Sequence, residues 1–274
     1  MLKLHVLNLG RMKMDANLVA QKTAIATLDN PEMPNRMAEF PVPAFLIESD
    51  SGYILFDTGC HPEAMVRDGR WPEAFQKQCP WDGDETKTPM YILKQMGIRP
   101  EDVKTVILSH MHNDHAGCVE YFKHAHFIVA RDEFSACLRA YAQHAYMSSY
   151  IWKDTDVWTK YPIDWELLDP EDGDMEVVPG VTILNLGAGH AYGVLALKVD
   201  LENTGSVILT SDAVYCSLNY DELRVPGVVL DSVGWMNSCK RIKRIAKASD
   251  AQVWYGHDLE QFSKLKTAPD YYYD

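Results

Sequence analysis

The sequence predicts an α+β protein, an αββα sandwich in which two mixed β-sheets pack face to face and helices cover the outer faces. One observation behind this prediction is that short apolar strands followed by helices occur twice, once before about Pro170 and once after it. Another is that side chains of metal-binding type follow the C-terminal ends of several strands. Such a sandwich would gather those side chains at one edge.

The composition fits a single domain over residues 1–274, because 47% of the residues are hydrophobic and can fill a sizeable core. The formal charge is −13, from 39 acidic and 26 basic residues. Phosphate backbones are bound by clustered Lys and Arg, so this excess of carboxylates argues against nucleic acid as a partner.

The sequence favours a cytoplasmic location. Residues 1–7 look like a first strand and lack the succession of segments that marks a secretory signal. No apolar run reaches membrane-spanning length, so no membrane partner is expected. The six cysteines show no C-x-x-C spacing, which favours free thiols in a reducing compartment. A single disulfide, or export without a sequence signal, remains an alternative.

Apolar runs and turn residues predict the elements in order. We expect strands at residues 1–7, 44–48, 53–56, 101–109, 126–130, 176–178, 181–186, 194–199, 206–210 and 252–255. Helices are expected at residues 89–96, 132–146 and 232–248, and one begins at 116–122. Residues 10–15 are predicted to form a turn, and residues 18–37 mostly loop, because Asn30, Pro31 and Pro34 break any helix.

Four potential metal ligands lie within six residues, directly after the apolar run 105–109: His110, His112, Asp114 and His115. Residues two apart on an extended backbone point the same way, so His110 and His112 can share one ion. The turn that follows aims Asp114 and His115 at a second ion. A lone histidine is more often a satisfied core residue, but that explanation is weak for this cluster.

Three further candidates each follow a later strand: His190, Asp212 and His257. Counting then gives His110, His112 and His190 for one metal and Asp114, His115 and His257 for the other, with Asp212 able to bridge them. Asp57 also ends a strand; a turn or cap role and a role in holding a metal-bound imidazole are equally consistent with it.

Imidazoles and carboxylates without a thiolate suit two divalent ions, with zinc favoured and iron, cobalt or manganese also compatible. Such a centre makes hydroxide available near neutral pH and polarises a carbonyl or phosphoryl oxygen, which indicates hydrolysis. Tyr215, three residues after Asp212, places a phenol near the metals. A phenol can donate a hydrogen bond to a developing oxyanion.

The H-x-H-x-D-H pattern of residues 110–115 resembles the metallo-β-lactamase superfamily. Over nearly its whole length the chain further resembles the N-acyl homoserine lactonases of that superfamily, which open the lactone ring of bacterial quorum-sensing signals. The segments that carry this resemblance are residues 10–15, 54–59, 109–118, 189–191, 211–215 and 255–262.

The resemblance implies the metallo-β-lactamase fold, the seven ligands above and ring opening by a hydroxide that bridges the two metals. It implies that Tyr215 contacts the lactone carbonyl and that Asp114 also gives a proton to the leaving alkoxide. Met12 and Met14 would line the cleft for the acyl chain, although plain core filling explains them equally well. Two further candidates for the same cleft are Leu18 and Phe40.

The chain departs from many members of the family at Asn113, Ala188 and Val194, none of which is a ligand. These differences bear on the preferred acyl-chain length. Alternative functions are another lactonase, a phosphoesterase, or a thioester hydrolase similar to glyoxalase II. A protein that only binds an acylated signal, and a diiron oxygen- or NO-reducing domain, fit the residues less well.

The stretch from residue 146 to 165 is rich in Trp and Tyr. Such residues usually belong to a core or to a subunit interface rather than to a ligand platform. Together with the loops near Trp71, this stretch favours a homodimer. The small acylated lactone expected as substrate is what the family resemblance implies.

Overall fold

The computed structural model describes residues 1–21, 25–32, 35–145 and 149–274. The strands are β1 (Lys3–Asp15), β2 (Met37–Ser49), β3 (Gly52–Phe56), β4 (Val103–Ile107), β5 (His126–Ala130), β6 (Asp164–Leu168), β7 (Met175–Val178), β8 (Val181–Gly187), β9 (Val194–Leu201), β10 (Gly205–Leu209) and β11 (Gln252–Trp254).

The α-helices are α1 (Ala16–Val19), α2 (Glu73–Gln78), α3 (Pro89–Gln95), α4 (Arg131–Ala142), α5 (Trp152–Trp158), α6 (Ser217–Glu222), α7 (Ser232–Ser249) and α8 (Leu259–Phe262). Short 3₁₀ helices lie at Glu85–Lys87, Pro100–Asp102, Val119–Phe122, Pro170–Asp172 and Ser211–Ala213. Among the described residues, no helix combines the length and the apolar character needed to cross a membrane.

Two mixed sheets form, one from each half of the chain. The first has the order β1-β2-β3-β4-β5-β6, antiparallel from β1 to β3 and parallel from β3 to β6. The second has the order β11-β10-β9-β8-β7, in which only the pair of β10 and β11 is parallel. The predicted α+β sandwich of two mixed sheets is therefore confirmed.

The buried apolar side chains form three layers, as an αββα sandwich requires. The middle layer joins the facing surfaces of the two sheets, for example Phe56 and Ile107 of the first with Leu197 and Leu209 of the second. A second layer lies between the first sheet and the helices that follow its strands. The third packs α7 on the second sheet through Trp235 and neighbouring side chains.

The first strand differs from its prediction, because residues 10–15 are not a turn. Strand β1 continues to Asp15 after an irregularity in its pairing with β2 between Asn8 and Arg11. Gly10 has a φ of +89° there, which only glycine adopts readily, so the chain bulges and stays extended. The alternation beyond it, with Met12 and Met14 buried and the residues between exposed, is the signal of a strand.

The strands predicted at residues 44–48 and 53–56 form a hairpin of β2 and β3, with Ser49 paired to Gly52 at the turn, and most other strands lie at their predicted positions. The helix expected from residue 116 is only the 3₁₀ segment Val119–Phe122. The helix expected at 132–146 ends at Ala142, and its predicted last residue lies outside the described part of the chain. Within the aromatic stretch, α5 and β6 were not predicted, and Trp158 and Trp165 pack into the core of the first sheet.

Candidate metal centre

The candidate ligands meet at the edge of the sandwich where several strands end. The run from His110 to His115 follows β4, His190 follows β8, and His257 follows β11. Asp212 lies in the short 3₁₀ helix that follows β10. Each of these side chains is buried, so the topology brings together residues that are far apart in sequence.

Two residues beside the centre adopt the left-handed backbone region although neither is glycine. Asp57, after β3, has a φ of +65°, and Ser211, before Asp212, has a φ of +46°. Such conformations cost free energy and persist where surrounding contacts hold them. Here the side chains of both residues bond into one network: the Ser109 hydroxyl donates to Asp57 Oδ2 at 2.8 Å, and the Ser211 hydroxyl donates to Ser109 Oγ at 2.7 Å.

The first ligand group contains three histidines. His190 Nε2 lies 2.9 Å from His112 Nδ1 and 3.2 Å from His110 Nε2. The ligand atoms of these three and of Asp212 lie within 4.8 Å of one another. Three imidazole nitrogens that converge at this spacing suit a divalent cation at their centre.

The second ligand group contains Asp114, His115 and His257, whose ligand atoms also lie within 4.8 Å of one another. Asp114 Oδ2 is 3.5 Å from both His115 Nε2 and His257 Nε2. The grouping predicted from strand ends and motif spacing is therefore the grouping seen in space.

Asp212 faces both groups with different oxygens. Its Oδ2 lies 3.2 Å from His190 Nε2 and 3.7 Å from His110 Nε2. Its Oδ1 lies 2.9 Å from His257 Nε2 and 3.3 Å from His115 Nε2. One carboxylate thus spans the two groups, which is the geometry expected of a ligand that bridges two ions.

The far nitrogens of three histidines contact acceptors that orient the rings. His115 Nδ1 lies 2.8 Å from Asp57 Oδ2, His257 Nδ1 lies 2.8 Å from the Pro41 carbonyl, and His190 Nδ1 lies 3.0 Å from the Val228 carbonyl. An N–H donated at Nδ1 leaves the lone pair of Nε2 directed at the centre. Asp57 therefore contacts the imidazole of a candidate ligand, as the second of its two predicted roles requires.

Buried polar atoms at the centre show that the residues fit metal ions. Despite their short separations, His115 Nε2, His257 Nε2 and Asp212 Oδ1 make no hydrogen bond of acceptable geometry with the described part of the protein. Buried polar atoms are nearly always satisfied, and an unpaired one is costly. Lone pairs of imidazole and carboxylate directed into one small volume are satisfied by cations.

The pKa values of the histidines are shifted in opposite directions in the two ligand groups. Burial lowers the pKa of His110 well below its usual range and that of His112 to about 3, so both imidazoles are neutral, as metal ligands must be. Burial also acts against charge on His115, but Asp114, Asp212 and Asp57 outweigh it and raise its pKa well above the ordinary value. The carboxylates thus favour positive charge at the second group, where a metal ion would replace the proton.

A cavity of about 90 Å³ leads to the ligands. Met12, Met14 and Leu18, which the resemblance placed in an acyl cleft, line it together with Asp114 and Tyr215. Phe40 is paired with Met12 in the sheet and packs in the core, and it is not among the lining residues. Larger surface hollows lie elsewhere and contain none of the ligands.

Tyr215 is buried with its hydroxyl 3.1 Å from His190 Nδ1. Burial raises the pKa of the phenol well above its ordinary value, so the group keeps its proton and can donate it in a hydrogen bond.

Several residues at the centre were not predicted. Phe75, Gln78 and Cys79 line the cavity through α2 and its C-terminal end. Ser109 and Ser211 join the network around Asp57, and the only signal for them is that each directly precedes a ligand.

Comparisons with known proteins agree with this geometry. The family model of the metallo-beta-lactamase superfamily matches residues 37–257. The chain is 40% identical to the N-acyl homoserine lactonase AiiB of Agrobacterium fabrum, over 99% of both chains. It is 32% identical to the N-acyl homoserine lactonase AiiA of Bacillus thuringiensis subsp. kurstaki, over 98% of both chains.

Solved structures give the same relationship. One is an N-acyl homoserine lactone hydrolase with the product N-hexanoyl-L-homoserine bound at its catalytic metal centre; it superposes with a TM-score of 0.81 at 31% identity, over 98% of both chains. Another is a mutant of AiiA from B. thuringiensis with N-decanoyl-L-homoserine at its active site, with a TM-score of 0.81 at 31% identity over 98% of both chains.

Proposed function

Because this chain belongs to the metallo-β-lactamase superfamily and, within it, to the N-acyl homoserine lactonases, we propose that it hydrolyses the lactone ring of N-acyl-L-homoserine lactones. The observation that carries this proposal is one cavity whose wall includes the Tyr215 phenol, the Asp114 carboxylate and ligands of both groups. A site of this kind can bind a carbonyl, supply a proton and take up an apolar chain at once.

The seven side chains at the centre would hold two divalent ions, for which we propose zinc. The first group would take one ion and the second group the other, with Asp212 shared between them. When bound, such ions supply hydroxide near neutral pH and positive charge beside the developing oxyanion.

The protein side chains then perform the remaining steps. Tyr215 donates a hydrogen bond to the lactone carbonyl oxygen, which gains negative charge as an oxygen from water joins the carbonyl carbon. The ring C–O bond breaks, and Asp114 passes the proton that it took from the attacking water to the leaving alkoxide. The product is the N-acyl homoserine, with a new carboxylate and a new hydroxyl group.

Met12, Met14 and Leu18 present an apolar wall to the acyl chain. Thioether side chains adapt to different shapes, so we propose that chains of several lengths are accepted. We retain Phe40 only as a residue that supports Met12 from the neighbouring strand.

We also propose that the protein is a cytoplasmic homodimer. Support for the dimer comes from the aromatic stretch, where Tyr161 is exposed and Trp152 half-buried although both are large rings. Light scattering would give twice the 31.1 kDa chain mass for a dimer.

A substrate panel tests the proposed reaction. The purified, metal-loaded protein is expected to release acid from N-hexanoyl homoserine lactone in a pH-indicator assay. Activity on S-lactoylglutathione with none on the lactones would instead show a thioester hydrolase, and binding of the lactone without turnover would show a signal-binding protein.

Replacing Tyr215 with phenylalanine is expected to lower kcat/KM for the lactone by about 100-fold, because one donor to the developing oxyanion is lost. Both metals should stay bound, since the phenol is not a ligand in this proposal. Metal content and steady-state rates check this together. Loss of metal from the variant would mean that Tyr215 acts through the structure of the site.

Replacing Asp57 with asparagine is expected to weaken metal binding by about 10-fold to 100-fold, because an amide accepts a weaker hydrogen bond from His115 than a carboxylate does. Chelator competition on the purified variant measures this change. Asp50→Asn, an exposed carboxylate near the other end of the β2–β3 hairpin, is the control that should leave affinity unchanged.

A further inference from the structure

One fully buried carboxylate lies close to the centre but belongs to neither ligand group. Glu133 is in the first turn of α4. Its Oε1 accepts the backbone N–H of Met111 at 2.9 Å, and its Oε2 accepts the backbone N–H of Tyr192 and the hydroxyl of Tyr150, both at 3.0 Å. Burial raises the pKa of Glu133 to about 7, which shows that an ionised group is costly here.

The two oxygens of Glu133 bond to different ligand loops. Met111 stands between His110 and His112, and Tyr192 is two residues beyond His190. The oxygens of one carboxylate are rigidly connected, so a single side chain sets the spacing between the two loops. These loops carry all three histidines of the first group.

Two further contacts connect the surroundings of Glu133 with the loop after His190 and with the ring of His112. A Cβ atom on Gly193 would lie 2.4 Å from Ala130 Cβ and 3.5 Å from Glu133 Cβ, so the loop after His190 is pressed against the start of α4 and needs glycine there. Tyr150, which donates to Glu133, also packs its ring against His112, with the ring centroids 5.0 Å apart.

We propose that Glu133 is a positioning residue for the three-histidine group: through the backbone of both loops it holds His110, His112 and His190 at the spacing that one metal ion requires. The inference rests on the proposed metal centre and adds to it a residue that touches neither substrate nor metal. Glu133 acts chiefly on this group, because Met111 is adjacent to both His110 and His112 and Tyr192 is two residues from His190, whereas Asp114 lies three residues beyond Met111 in the same loop.

Metal affinity measured ion by ion tests the proposal. In Glu133→Gln the side chain keeps its shape but gains an NH₂ group that faces N–H and O–H donors, so at least one loop loses its anchor. Cobalt(II) is titrated into the metal-free proteins with a competing chelator, and the visible absorption of each bound ion is followed. We expect the affinity of one ion to fall by about 10-fold or more and that of the other to stay within about threefold.

Matched controls separate this role from a general loss of stability. Asp132→Asn removes the exposed carboxylate next to Glu133 and should bind both ions as the wild type does. Val181→Ala removes core volume at the far end of β8 and should lower stability with both affinities unchanged. Gly193→Ala displaces the same loop while leaving the Glu133 carboxyl group chemically unchanged, and it should reproduce the selective loss even where Glu133→Gln fails to fold.

Equal affinities for both ions in Glu133→Gln and in the wild type would overturn the proposal. An equal fall in affinity for both ions, together with a loss of stability like that of Val181→Ala, would also overturn it. If the wild-type protein opens lactones while it binds fewer than two cobalt ions, the proposed two-metal centre is wrong. This result is distinguishable from a failure of the Glu133 proposal, which concerns only the variants.

Discussion

Replacing Asp212 with alanine is expected to lower kcat/KM for N-acyl homoserine lactones by more than about 100-fold, because even residues that only orient ligands contribute about 10-fold to 100-fold. Asp212 faces His190 with one oxygen and His257 with the other, so its loss removes a proposed ligand of both ions at once. The metal content of the purified variant should fall from two ions to one or none. Elemental analysis and the pH-indicator assay measure the two effects.

Asp221→Ala is the matched control for this variant, since it removes an exposed carboxylate from α6, just beyond the same segment. It should retain both metals and the wild-type rate. An Asp212→Ala protein that keeps two ions and full activity would show that the carboxylate does not bridge the groups.

Replacing Asp114 with asparagine is expected to lower kcat by about 10²-fold to 10⁴-fold, the range typical of a lost general acid. Asparagine keeps a side-chain oxygen at the position of a ligand but cannot carry a proton to the leaving alkoxide. Metal content should therefore fall much less than the rate. The loss should also be smaller for activated esters, whose leaving groups need little protonation.

A thioester or aryl ester substrate provides the internal control for Asp114→Asn, because a good leaving group departs without a proton. An equal loss of rate on lactones and on activated esters would contradict the acid role and would assign Asp114 to metal binding alone. The comparison is made on one purified preparation, so that metal content is the same for both substrates.

The family and the fold were predictable because their signals are local. The motif from His110 to His115 and the strand-end positions of His190, Asp212 and His257 are visible in the sequence, and the fold brings the C-terminal ends of β4, β8, β10 and β11 to one edge of the sandwich. The predicted membership of the lactonase family is confirmed by relatives that match almost the whole chain.

Contacts between distant segments were not predictable from local patterns. The Pro41 carbonyl that orients His257 is 216 residues away in the chain, and the Glu133 carboxylate binds two loops that only the folded sheet brings together. In β1 the difference has another cause, because Gly10 favours a turn in the sequence whereas the alternation of Met12 and Met14 favours the strand that forms.

The most direct test of the central claim is the rate of lactone opening as metal is added back to the metal-free protein. The account predicts that the rate of acid release from N-hexanoyl homoserine lactone rises with added zinc and levels off at two ions per chain. Full activity without metal, or a rate that levels off at one ion per chain, would contradict a centre in which both groups act together.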